Sequence, residues 1–354
     1  MYKRQIVDRA RDRVAKAINA EKSNEIYFTG SGSEANNWAI KGLARANRAK
    51  GNHIIVSSIE HDSVLEACKE LEKEGFEVTY LSVDETGLVS LAELLHYIKP
   101  ETILISVMSV NNEVGTIQNI KAFAKTAHEN GIIFHTDAVQ AIGALKMDVR
   151  DMEIDAMTMS AHKIYGPKGV GALYLKNGIR IENLINGGNQ ERGKRGGTLN
   201  VPGIAGFGKA IEIAVRDLSV NQQKLKAIRQ YFLDKVEENI PYVHLNGHPH
   251  QKIQGTVNLS FELIEGESIL MLLDLEGIAV STGSACTSGS LEPSHVLKAM
   301  GLSNELAQGS IRFSFGKSIT KADIDYVVEK LTGVVEKLRA ISPLTKAGRG
   351  KKGE

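Results

Sequence analysis

The chain has 354 residues and carries 43 basic against 42 acidic side chains, a net charge of +1. Neither nucleic acid nor an anionic membrane surface is implied as a partner. Two cysteines, Cys68 and Cys286, give no disulfide framework, and no apolar run reaches the length of a membrane span, so the expected setting is a reducing cytoplasm.

The opening MYKRQIVDRARDRVAKAINA has the pattern of an amphipathic helix; its Asp8 and Asp12, and its lack of serine, argue against an organelle transit peptide. From residue 25 to about 175, short apolar runs alternate with longer amphipathic segments. The runs EIYFT, HIIVSS, FEVTYL, TILISVM, GIIFHTD, AMTMS and GALYL predict strands, and 34–49, 61–74, 90–98 and 118–130 predict helices between them. This is the alternation of an α/β domain on a mostly parallel, seven-stranded sheet, where ligands collect outside the carboxyl ends of the strands.

After residue 203 a long helical region, 203–239, leads to a turn-rich NGHPHQ segment. Strands TVNLSF and SIRFSF follow, with helices near 266–275, 293–300 and 320–341. The expected organisation is a large domain, 1–215, a smaller α+β C-terminal domain, 216–342, and a flexible basic tail, 343–354.

Three stretches carry chemistry. In FTGSGSEANN, 28–37, a strand end passes through Gly and Ser into a helix whose first turn holds Glu34, and free N–H groups there form an anion cradle. A plain Gly-Ser helix cap explains the same residues. In SAHKIYGPKG, Lys163 stands at a sheet mouth between Ser160, His162 and a Gly-Pro turn, a setting for a nucleophilic amine as well as for a surface lysine. In HTDAVQ, Asp137 ends a strand; a pyridoxal-phosphate enzyme needs such a carboxylate against the pyridine nitrogen, with Gln140 in reach of the ring hydroxyl, whereas the plain reading is a helix-capping Asp. Cradle, aspartate and lysine each follow a different predicted strand, and together they favour the cofactor reading.

The blocks EIYFTGSGSEANNWAIKG, EHDSVLEACKELEKEGFEVTYL, SVNNEVGT, HTDAVQ, SAHKIYGPKGVGALY, QERGKRGGTLNV and STGSACTSGSLEPSHVL resemble, in order, the NifS/IscS cysteine desulfurases of the fold-type I pyridoxal-phosphate enzymes. The resemblance runs from about residue 5 to 342. It implies that Lys163 binds the cofactor covalently, that Asp137 meets the pyridine nitrogen, that Gln140 and Asn112 lie near the ring hydroxyl and that His61 stacks on the ring with a catalytic role in moving protons. Gly32, Ser33, Ser160 and His162 match phosphate-binding positions. Thr198 matches a threonine that reaches the phosphate of a neighbouring subunit, so a homodimer with shared sites is implied. Asn112 and Arg312 match the holders of the substrate carboxylate, a task suited to the guanidinium fork. Cys286 matches the catalytic cysteine, in a long loop of the class that feeds scaffold proteins, with Gly283 and Gly289 as pivots; it takes sulfur from L-cysteine as a persulfide, passes it to an acceptor for iron-sulfur cluster assembly or tRNA thiolation, and is able to ligate a cluster in passing.

Other features take plain readings. Cys68 is a small core residue, and His244, His248 and His250 belong to a loop rather than a metal site, with no Cys or acidic partner beside them. His135 points to the same face as Asp137 and has no assigned role. Family members begin some tens of residues earlier, with an Asn/Asp-Ala-Ala-Thr-Thr type segment that does not occur here, which motivates one rival, a truncated, cofactor-binding but inactive scaffold; the other is a selenocysteine lyase or class V aminotransferase, which shares the cofactor site and has no need of Cys286.

Overall fold

The structure is a computed structural model that describes residues 2–282 and 293–343; Cys286, Gly283, Gly289 and the tail from 344 lie outside the described residues. The chain divides into two compact units, the first comprising 1–83, 89–111 and 117–218, the second 84–88, 112–116 and 219–354.

The first unit contains, in order, α1 (Tyr2–Ala17), β1 (Ile26–Thr29), α2 (Gly32–Asn47), β2 (His53–Ser57), α3 (Asp62–Lys73), β3 (Glu77–Leu81), α4 (Leu91–Tyr97), β4 (Thr102–Ser106), α5 (Ile120–Glu129), β5 (Ile133–Asp137), β6 (Ala156–Ser160), β7 (Gly171–Leu175) and α6 (Val201–Arg216). Its seven strands lie in the order β1-β7-β6-β5-β4-β2-β3. Pairings among β2 to β6 are parallel, and β7 runs antiparallel to both β6 and β1. The predicted mostly parallel sheet is therefore present. Every residue of β2, β4, β6 and β7 is buried, which is why these strands read as continuous apolar runs: helices cover both faces of a parallel sheet. Ser31, Ser90, Asn119 and Asn200 cap α2, α4, α5 and α6 by accepting from backbone N–H groups of the first turn. One core, which includes Trp38, Leu43, Ile54, Leu71 and Leu173, lies under α2 and α3.

Helix α1 packs along α6, where a Cβ on Gly208 would come within 2.7 Å of Ala10 Cα. Arg11 of α1 forks onto the buried carboxylate of Glu191, at 2.7 Å to each oxygen, and Glu191 also accepts from Phe28 N–H at 3.1 Å. Glu191 and Arg192 both have left-handed backbones, φ 45° and 59°. That is a costly conformation for residues with a Cβ, and the buried pair holds it in place.

The second unit holds α7 (Leu218–Asn239), β8 (Val243–Asn246), β9 (Thr256–Phe261), α8 (Gly266–Leu275), β10 (Ser281–Thr282), α9 (His295–Ala299), α10 (Asn304–Gln308), β11 (Ser310–Ser314) and α11 (Lys321–Ile341). Its sheet is antiparallel in the order β10-β11-β9-β8, with a core that includes Phe232, Phe261, Leu273, Phe313 and Leu331. The helical region 203–239 is broken at Asp217: its N–H closes the last turn of α6, and α7 starts at the next residue as part of the second unit's core. Strand β8 leads into the turn-rich segment, and because it pairs with β9, His244 lies on a strand rather than in the expected loop.

Candidate active site

Six loops follow strands that end at one edge of the seven-stranded sheet, because β1 to β6 all end there and antiparallel β7 begins there. The backbone is crowded at this edge. A Cβ on Gly171 would lie 2.6 Å from Ser31 C, and one on Gly32 would lie 3.0 Å from Val139 Cγ2 and 3.3 Å from Ser160 Cβ. Glycine thus lets the start of α2 settle against the ends of β5 and β6. Ser33 is exposed in the first turn of α2, and Ser31 Oγ accepts from Glu34 N–H at 3.0 Å. The Glu34 carboxylate accepts from Gly30 N–H at 2.8 Å and from both prongs of Arg195, at 2.8 and 3.0 Å, so the loop leading to exposed Thr198 is tied to the cradle.

Asp137 closes β5 and is 5% exposed. Its Oδ1 accepts from Val139 N–H at 2.8 Å and its Oδ2 from Asn36 Nδ2 at 2.6 Å. Burial pushes the carboxyl up from its ordinary range, opposed by those two hydrogen bonds and by the His61 and Lys163 charges. Gln140 is half-buried three residues on. Asn36, on the inner face of α2, also donates to Ser63 Oγ at 2.9 Å, and Ser63 meets His61 Nδ1 through its hydroxyl at 2.9 Å and its N–H at 3.1 Å. His61 is thereby the N-cap of α3.

Glu60, directly before His61, is fully enclosed; one of its oxygens accepts from Ser57 Oγ and from Met108 N–H, both at 2.6 Å. Burial pushes this carboxyl up to about 8, and nearby Asp137 adds to the effect. After β6, Ser160 Oγ meets His162 Nδ1 at 2.9 Å, and the short turn Ala161–Ile164 leaves His162 and Lys163 exposed at the mouth. Partial desolvation of its ring and the Lys163 and Lys168 charges lower the His162 pKa.

In the second unit, Arg312 of β11 donates from Nη1 to the Asn112 carbonyl at 3.0 Å, while Arg312 Nε and Asn112 Oδ1 are buried with no partner among the described residues. Cys68 sits in the core, where burial pushes its thiol above the ordinary range, which suits the inert reading. His248 Nδ1 accepts from the N–H groups of His250 and Gln251, as a turn residue does; His244, however, has an acidic partner after all, Glu262 at 2.6 Å, brought to it by the β8–β9 pairing. His135 lies under the site, its ring between Ser106 and Thr158 at 2.9 and 3.1 Å, and burial lowers it to about 3.

The donor set fits pyridoxal phosphate. Asp137 is a buried carboxylate held by amide donors, which leaves it suited to a cationic N–H, and Lys163, the imidazole of His61 and a helix N-terminus flanked by Ser160 open onto the same edge. Asn36 and Glu60 join the site only in three dimensions; within SEANN the sequence signals no more than the helix cap and Glu34.

The aminotransferase class-V family matches residues 2–327. The cysteine desulfurase IscS of Clostridium botulinum strain Hall is 55% identical over 340 residues, covering 96% of this chain and 85% of the relative. Among solved structures, a NifS-like protein superposes with a TM-score of 0.89 at 37% identity, over 95% of this chain and 89% of that one. SspA in complex with cysteine follows at a TM-score of 0.78 and 38% identity, over 89% and 87%. The chain belongs to aminotransferase class V and, within it, to the pyridoxal-phosphate-dependent cysteine desulfurases of the NifS/IscS class.

Proposed function

We propose that the chain converts L-cysteine to L-alanine and carries the released sulfur on Cys286 as a persulfide. The observation that supports this most is the buried Asp137 carboxylate at the end of β5 with the Lys163 turn at the end of the neighbouring strand β6, in a chain 55% identical to a cysteine desulfurase. One solved neighbour, SspA, is in complex with cysteine, in agreement with that substrate.

When bound, pyridoxal phosphate supplies an electron-accepting ring next to the substrate's Cα. In this reading Asp137 would hold the proton on the ring nitrogen, and His61, Gln140 and Asn112 would line the ring. Gly32, Ser33, Ser160 and His162 hold the phosphate, joined by Thr198 from a second copy of the chain, whose exposure leaves it available for that contact. Arg312 grips the substrate carboxylate beside Asn112. Lys163 takes the Cα proton. The Cys286 thiolate attacks the substrate sulfur: an S–S bond forms, the substrate's C–S bond breaks, its electron pair takes up a proton at Cβ, and Lys163 gives a proton back to Cα, so that the fragment leaves as alanine. The persulfide then passes to an acceptor protein of the cytoplasm.

The test loads the protein with pyridoxal phosphate and measures visible absorbance, then sulfide and alanine from L-cysteine with a reductant. Lys163→Ala is expected to abolish the lysine-bound absorbance. Cys286→Ser is expected to keep that absorbance and stop sulfide release. Loaded wild-type protein that forms no sulfide overturns the reading.

A further inference from the structure

We propose that Asn36 is a positioning residue of the cofactor site, one amide that sets both the Asp137 carboxylate and the His61 ring. The proposal rests on the reading that these two groups flank the cofactor. Asn36 is 1% exposed, and its Nδ2 divides its two protons between Asp137 Oδ2 at 2.6 Å and Ser63 Oγ at 2.9 Å. The orientation of the amide follows from its neighbours, because turning it over would put the oxygen against a carboxylate. Its oxygen accepts no hydrogen bond among the described residues, so the two donated bonds are what hold the side chain.

Ser63 Oγ, having accepted from Asn36, gives its own proton to His61 Nδ1 at 2.9 Å, and Ser63 N–H reaches the same nitrogen at 3.1 Å. Nδ1 is therefore an acceptor, and the neutral ring carries its proton on Nε2. The relay joins β5, α2 and α3: Asp137, Asn36, Ser63 and His61 lie on three elements that meet at one sheet edge. The carboxylate's rotamer and the imidazole's tautomer are set together, which neither group achieves from its own element.

The experiment reads histidine-labelled protein by nitrogen NMR, with and without pyridoxal phosphate, alongside the cofactor's dissociation constant, with no L-cysteine present. Wild type is expected to show His61 as the Nε2–H tautomer. Asn36→Ala is expected to mix the tautomers and to weaken cofactor binding about tenfold, the scale of one lost hydrogen bond to a charged group. Asn36→Asp, of the same shape, faces Asp137 with a like charge and is expected to weaken it further. Ser63→Ala is expected to alter the His61 signal and leave the dissociation constant within about twofold, since the Asp137 contact remains. An Nδ1–H tautomer in wild type overturns the relay with no variant needed, which covers the case in which Asn36→Ala fails to fold. Unchanged tautomer and affinity in Asn36→Ala overturn it as well. If wild type keeps the tautomer but binds no pyridoxal phosphate, the relay stands and the cofactor reading falls.

Discussion

The two edges of the seven-stranded sheet both bury carboxyls and histidines, yet they satisfy them differently. At the edge where β2 and β6 begin, Asp155 accepts from Phe134 N–H at 3.0 Å, meets His128 Nε2 at 2.8 Å and has Lys176 Nζ 3.6 Å away; His53 lies between Thr102 and Thr79, at 2.7 and 2.9 Å. At the opposite edge the hydrogen bonds to Asp137 and Glu60 come from amides, a hydroxyl and backbone N–H groups. One edge neutralises its acid with basic side chains of the chain itself. At the other, neutral groups donate to the enclosed Asp137 carboxyl and the His61 and Lys163 charges favour its ionised form, an arrangement suited to a cationic ligand. Residue type does not separate a structural acid from a functional one here; the identity of the partner does.

The largest expected break in this contrast is Asp137→Ala. It is expected to weaken pyridoxal-phosphate binding by about 100-fold or more, as loss of one member of a buried charge pair does, while chemical denaturation finds the fold no less stable, because a desolvated carboxyl has been removed. Asp155→Ala is expected to do the reverse, lowering the unfolding free energy by about 3 kcal/mol in urea titration with no change in the loaded protein's visible spectrum.

Two pH effects sharpen the contrast further. The folded pKa of Glu60, about 8, lies above its ordinary value of 4.5, so the native carboxyl keeps a proton that the unfolded chain releases. Its stabilising contribution is full below about 4.5 and is lost as pH rises through about 8; Glu60→Gln is expected to flatten that part of the stability curve. His53 moves the other way, down from 6.5 to about 4, mainly through burial. Its contribution is full above about 6.5 and is lost as pH falls through about 4, and His53→Gln is expected to show the smallest change of the set, a loss near 1 kcal/mol at neutral pH with a flattened acid limb in the same titration.

Much of this architecture is legible in the residues alone. Continuous apolar runs announce strands buried on both faces, and the position just past each run marks the edge where Asp137, His61 and Lys163 gather. What stays hidden depends on partners distant in the chain. Asn36 looks like any polar residue on a helix until β5 brings Asp137 to it from 101 residues away, and Glu60 looks solvated until Met108 closes over it. Strand β8 is hidden because VHLN is only four residues long and runs straight into turn formers; it owes its conformation to β9, the same pairing that brings Glu262 to His244. The break at Asp217 is hidden because both helices have the same period on either side of it.

The Arg11–Glu191 pair bears on how the first unit opens. If α1 peels away, Glu191 loses both of its charge-assisted bonds while its carboxylate is still enclosed, and the left-handed residues at 191 and 192 lose what holds them. Partial detachment is therefore a poor halfway state. Helix α1 and the segment from Gln190 toward Thr198 are expected to exchange their amide hydrogens together, as one cooperative block, so that an event at the chain's first helix is felt at the residue proposed to serve a neighbouring copy's phosphate site.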